Sequence, residues 1–209
     1  MFKKLLILLS SLFFFVSCSI SNSNTISPYK ISINEKKLDF PLVKKETKLS
    51  VGKSYYTIVK SVYDGDTFTD YIGNRIRLFG IDTPELKPKQ HIKHKKKKLD
   101  ARLSKLYGLK AQKILSDLVL NKLVKITIAA TDAYDRKVAI VEIDGKNASF
   151  EQLSYGLAQM RFFDIKNSKS KYYYPQYKKL FELFSKVQEA AKNEEKGIWK
   201  DKIWEKIYD

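Results

Sequence analysis

An α+β domain, built on a five-stranded Greek-key β-barrel with three packed α-helices, is what this sequence predicts, and three observations carry that prediction. Three β-rich runs come first and close together. A segment with apolar residues at helical spacing then interrupts them. Two more β-rich runs follow before a final pair of helical segments, giving the order βββ-α-ββ-α-α.

The opening strands are YYTIVKSVY, DTFTDYI and RIRLFGI, rich in β-branched and aromatic residues and joined by Asp64-Gly65 and Gly73-Asn74, a turn chemistry that gives an antiparallel meander. Next, Leu103, Leu106, Ala111, Ile114, Leu115, Leu118 and Val119 recur at spacings of three and four, predicting an amphipathic helix that ends before Asn121. LVKITIAAT and KVAIVEI supply the last two strands, enclosing TDAYDR and ending at the Asp144-Gly145 turn. Ser149 with Gln152 three residues later reads as a capping box for a short helix through Leu153. Pro175 suits a first helical turn, and Tyr177, Leu180, Phe181, Phe184, Val187 and Ala191 line one face of a helix that stops before Gly197. Five strands with a helix after the third are the arrangement of an OB-fold barrel.

The chain has 209 residues, enough for one core-bearing domain plus appendages. Lys3 and Lys4 precede an apolar run from Leu5 to Val16, the layout of a secretory signal over residues 1–17 and too short to cross a bilayer. The single cysteine, Cys18, follows Phe15-Val16-Ser17, which looks like a relaxed lipobox; signal cleavage without lipidation is the other reading of the site. With one cysteine no disulfide forms within the chain. Residues 18–49 are polar, Ser- and Asn-rich and aperiodic, as expected of a tether between a lipidated Cys18 and a domain spanning 50–209. The expected protein is exported, anchored to the cell membrane through lipid on Cys18, and monomeric.

Net charge is +17, and removal of residues 1–17 takes two lysines and no acid, leaving +15. Such a balance favours polyanionic partners, with nucleic acid and anionic membrane both fitting. A basic insertion over 86–106 concentrates nine Lys and Arg residues against one acid, and includes Lys95, Lys96, Lys97 and Lys98. His91 and His94 within it have no cysteine or acid cluster to complete a metal site.

Two stretches carry the chemistry. VYDGDTF sets Asp64 and Asp66 about a glycine, a pattern that suits a hairpin turn or a cation site equally. RLFGIDTPE places Arg77 five positions before Asp82 and Glu85 three after it, so that a strand ending in a Thr-Pro turn brings Asp82 near Asp66 and points Glu85 into the same cleft. TDAYDR adds Tyr134 and Arg136.

Taken in order, DGDT, RLFGIDTPE and the Asp-x-Tyr-x-Arg element resemble the staphylococcal nuclease (thermonuclease) family, from about Tyr55 to Trp199, with Gly156-Leu157-Ala158 and KGIW as family-like endings. The resemblance implies a Ca²⁺-dependent nuclease that hydrolyses DNA and RNA to leave 3′-phosphate ends. Asp66 and Asp82 would be carboxylate ligands of Ca²⁺, with the backbone carbonyl of Thr83 as a third, a ligand set suited to a hard cation. Glu85 would be the general base, and Arg77 and Arg136 would grip the scissile phosphate. Tyr134 and Lys95 to Lys98 would touch substrate. The chain departs from the family with Phe162 and Asp164 where two tyrosines meet the terminal nucleotide and its phosphate, with Ala133 for a phosphate-binding lysine, with Asp135 for a glycine, and with a basic loop about ten residues longer than usual. A non-catalytic nucleic-acid-binding module, or a surface lipoprotein that binds polyanions, is the alternative on the same fold.

Overall fold

The computed structural model describes residues 49–87 and 100–208. Residues 1–17, Cys18 with most of its tether, His91, His94 and Lys95 to Lys98 lie outside the described residues.

Strand β1 (Ser54–Val62) buries Tyr55, Thr57 and Val59 on one face, and β5 (Leu123–Thr131) buries Val124, Ile126 and Ile128 in the same alternation. This period of two is what turns one side of each strand into a barrel interior. β2 (Thr67–Asp70) pairs antiparallel with β1, and β3 (Arg75–Leu78) pairs antiparallel with β2. On the other side β1 pairs with β5 and β5 with β6 (Lys137–Ile143), both antiparallel. A parallel pairing of β3 with β6, Arg77 opposite Val138, closes the barrel. Register breaks at Val59/Ser61 in β1 and Ile128/Ala130 in β5 supply the bends closure needs.

Helix α1 (Ala101–Val119) starts later than the lysine run, because the Asp100 side chain caps it by accepting from the backbone N–H of Arg102 and Leu103. It plugs the barrel with Leu115 and Val119. Its earlier turns, through Tyr107 and Ala111, join a second apolar cluster with Leu157, Ala191, Ile198, Trp199, Ile203, Ile207 and Tyr208. α2 (Ala148–Ser154) and α3 (Lys178–Asn193) match the two remaining helical expectations. Short pieces complete the fold: β4 (Ile81–Asp82) pairs with β8 (Gln159–Met160), β7 (Lys146–Asn147) extends β6, and a fourth helix, α4 (Ile203–Ile207), ends the domain.

The capping box expected at Ser149 is not formed. Asn147 is the cap, its side chain accepting from the N–H of Phe150. Ser149 and Gln152 are buried instead, and each ties α2 to another element. Ser149 Oγ donates to the carbonyl of Phe79, while Gln152 Nε2 donates to the carbonyls of Gly65 at 2.6 Å and Ala111 at 2.8 Å. A flipped amide would set oxygen against two oxygens, so the orientation is fixed even though Oε1 has no partner. The two family-like endings also meet here, the N–H of Ile198 donating to the carbonyl of Gly156. Gly156 (φ +63°) and Gly197 (φ +54°) both take the left-handed conformation, and a Cβ on either would strike the other segment's backbone.

Gln152→Leu keeps the volume and removes the donor from the carbonyl of Gly65. Urea unfolding should report a loss of about 1–3 kcal/mol, the usual cost of a buried unsatisfied group. A loss under about 0.5 kcal/mol, within the range of an ordinary surface substitution, would show that the amide holds nothing in place.

Candidate active site

The loop between β1 and β2 carries the first acidic pair. Asp64 makes an Asx turn, its Oδ1 accepting from the N–H of Asp66, which turns the Asp66 side chain inward. Gly65 is required by space: a Cβ there would collide with Ala111 of α1 and with the Thr83 side chain. The glycine of DGDT thus lets the loop be pressed between α1 and the turn after β4, and Gln152 fastens it there. The turn that one reading of this stretch expected is formed, and it carries both Asp64 and Asp66.

β4 and the turn after it carry the second acidic set. Asp82 lies at the end of β4, paired with Gln159 of β8. The carbonyl of Glu85 accepts from Ser104 Oγ of α1, and a Cβ on Gly108 would strike the carbonyl of Pro84, so α1 and the turn fit without slack. The carbonyl of Asp82 accepts from the hydroxyl of Tyr208, just beyond α4.

Between the two sets stands Arg77. Its Nη1 is 3.0 Å from Asp66 Oδ1 and its Nη2 is 2.7 Å from Asp82 Oδ1. One guanidinium therefore spans two carboxylates whose side chains are only 3% and 15% exposed. Asp66 is saturated: Oδ1 also accepts from Thr67 Oγ1, and Oδ2 accepts from both the N–H and the Oγ1 of Thr83. Asp82 gives its second oxygen to Arg161 Nη1 at 3.1 Å.

Crowding of acids raises their pKa values. Asp64 is pushed up to about 7, chiefly by burial and then by Asp66, with Glu85 adding to it. Asp82 is raised by burial and by Asp66, with Arg77 and Arg161 opposing. Glu85 is raised by partial burial of its carboxyl and by Asp66 and Asp82, against Arg77 and Arg136. The structure thus brings Asp66, Arg77, Asp82, Thr83 and Glu85 together, with the charge of Arg136 acting on the same glutamate.

Arg136 enters through a built mount. Asp132 Oδ2 accepts from Arg136 Nε at 2.7 Å, while Oδ1 accepts from the N–H of Tyr134 and of Arg136. The forked Nη end makes no hydrogen bond among the described residues. Asp135 occupies the usual glycine position with the left-handed φ of +58°, a conformation aspartate tolerates better than most residues. Tyr134 is exposed, with the Arg136 guanidinium 5.5 Å from its ring centre.

A cation's fit can be judged from the donors. Asp66 and Asp82 lie within the span of one guanidinium and share a buried, oxygen-lined corner whose donors suit a hard divalent cation once Arg77 or Thr83 gives up an Asp66 oxygen. No group of three or more His, Cys, Asp or Glu stands ready as a closed metal cage among the described residues. An ion here would complete its shell with backbone oxygen and water. Arg161 and Tyr208 were not picked out from the sequence, Asp132 entered only as the first residue of the Asp-x-Tyr-x-Arg element, and Gln152 only as part of a capping box. The apolar spacing of IWEKIY is the one local signal that could have revealed α4 and Tyr208.

Comparison with known proteins agrees with this architecture. The family model described as staphylococcal nuclease homologue matches residues 75–201. A protein named as an uncharacterized endonuclease from Haemophilus influenzae is 30% identical over 147 residues, 68% of this chain and 65% of that protein. A thermonuclease from Staphylococcus intermedius is 28% identical over 167 residues, 77% of this chain and 84% of that protein. The chain spans just under two thirds of the Haemophilus protein's length.

Asp132 is held below its ordinary range: its partial desolvation is outweighed by the bond from Arg136 and those from the N–H groups of Tyr134 and Arg136. A folded-state pKa below the unfolded value makes it stabilising above about 3.8, and the stabilisation disappears as pH falls through the folded value. Urea unfolding of wild type and Asp132→Asn should therefore differ at pH 7 and converge towards pH 3. A gap unchanged with pH would mean that the Arg136 mount is not held by charge.

Proposed function

The chain belongs to the staphylococcal nuclease family, and on that premise we propose that it is a Ca²⁺-dependent phosphodiester hydrolase acting on DNA and RNA and leaving 3′-phosphate ends. The observation that carries the reading is the convergence of Asp66 from the β1–β2 loop, Arg77 from β3, and Asp82 and Glu85 from β4 and the turn after it onto one corner of the barrel. In this reading Asp66, Asp82 and the carbonyl of Thr83 hold the ion, whose chemistry when bound is to neutralise and polarise a phosphate oxygen. Glu85, solvent-accessible yet raised in pKa, takes a proton from an attacking water. A raised pKa makes it a stronger base than an ordinary carboxylate. Arg77, already fixed in the acidic corner, and Arg136, mounted on Asp132 with its fork making no hydrogen bond among the described residues, grip the phosphoryl oxygens as charge builds on them. Tyr134 and Lys95 to Lys98 complete the substrate contacts.

The leader of Lys3, Lys4 and an apolar run, with FVSC behind it, supports export and anchoring to the cell membrane through lipid on Cys18. Cys18→Ser should then move the protein from the membrane to the soluble fraction, and persistent membrane association would refute acylation at Cys18.

Glu85→Gln should bind nucleic acid and Ca²⁺ as wild type does while turnover falls by roughly 10²–10⁴, the usual worth of a general base. Asp66→Asn and Asp82→Asn should raise the Ca²⁺ concentration needed for half-maximal activity. Near-normal turnover in the first variant, or unchanged Ca²⁺ dependence in the other two, would reject the assignment.

A further inference from the structure

Asp82 is held by two guanidinia, and only one belongs to the motifs. Arg77 takes Oδ1 and Arg161 takes Oδ2. The two arginines differ in their surroundings. Arg77 is 12% exposed and bridges two acids, whereas Arg161 makes one ion pair among the described residues and keeps 36% of its side chain in solvent. The backbone of Arg161 is nonetheless fixed, its N–H donating to the carbonyl of Gly80 at 3.0 Å. Its guanidinium lies 5.2 Å from the ring centre of Phe162, a ring that Arg77 approaches to 5.5 Å and Tyr172 to 5.0 Å.

We propose that Arg161 is a substrate-binding residue that closes Asp82 when no strand is present and turns its fork onto a phosphate beside the scissile one when a strand lies across Phe162. This rests on the nuclease reading above. Three observations carry it. A guanidinium has five N–H donors, and among the described residues its one ion pair, with Asp82, leaves most of them available at a solvent-facing edge. The ring of Phe162 is half-buried under the same guanidinium, so a fork that turns to a phosphate bares a face on which a base can stack. At the two positions where the family has tyrosines no side-chain donor stands: Phe162 has no polar group, and the Asp164 carboxylate accepts, from the N–H of Lys166 and Asn167. Arg161 is thus the nearest forked donor on this segment to the acidic corner.

The proposal has a two-sided signature. Arg161 should help the strand and hinder the cation, since its charge competes for an Asp82 oxygen. A residue that merely braced Asp82 would do the opposite to the cation. The test uses the full chain carrying E85Q to suppress cleavage, with a labelled single-stranded octathymidylate as probe. In Ca²⁺, R161A should bind the strand about tenfold or more weakly, the worth of a charge-assisted hydrogen bond. The plot of log affinity against log salt should flatten by roughly one contact's worth. Calorimetry without the strand should find Ca²⁺ binding tightened about two- to fivefold, as expected from deleting a partly exposed competing ion pair. R161K should recover the salt slope but only part of the affinity, because the fork is lost. Unchanged strand affinity and slope, or weakened Ca²⁺ binding, in R161A would overturn the role of Arg161. If the E85Q parent binds neither strand nor Ca²⁺, the nuclease reading falls and this inference falls with it.

Discussion

Asp66 and Asp82 meet in a nearly buried corner with a cation between them, and in this structure that cation is the guanidinium of Arg77. Removing one member of such an arrangement leaves uncompensated charge in a poorly solvated place, at a cost of about 3–5 kcal/mol. The rest of the domain serves this demand. Arg77 reaches both acids because its strand, β3, closes the barrel against β6. Asp66 faces inward because Gly65 fits where no side chain could, and Asp82 is steadied by Tyr208 from the far end of the chain.

The same constraint bears on the proposed chemistry. Acids drawn this close raise one another's pKa values, and a divalent ion would relieve that repulsion while taking over the task of screening them. Arg77 would then be released from part of its structural work to face a phosphate. In this account the arginines are charges whose partners exchange as the cation and the strand arrive. On the proposed function the site would grip polyanions without reading base sequence, in keeping with a net charge of +17.

Much of this was legible in the sequence, and for a physical reason. Strand alternation and helical spacing are local patterns, so Val124, Ile126 and Ile128 or Leu115 and Val119 announce their faces without help from distant residues. The acidic motifs are local too, and DGDT with RLFGIDTPE sufficed to gather Asp66, Arg77, Asp82 and Glu85. Supporting residues act over long separations and leave no local mark. Gln152 reaches a carbonyl 87 positions away, Arg161 a carboxylate 79 away and Tyr208 a carbonyl 126 away. Ser149 and Gln152 show how a local rule fails: their spacing fits a capping box, but Asn147 captures the cap and both side chains do better as buried ties.

The most direct measurement is cleavage of a 5′-labelled DNA strand by the purified protein in Ca²⁺ and in excess chelator, with the product ends identified. The account predicts fragments ending in 3′-phosphate with Ca²⁺ and intact strand with chelator. Cleavage that persists in chelator, or a strand left intact under both conditions, would contradict it.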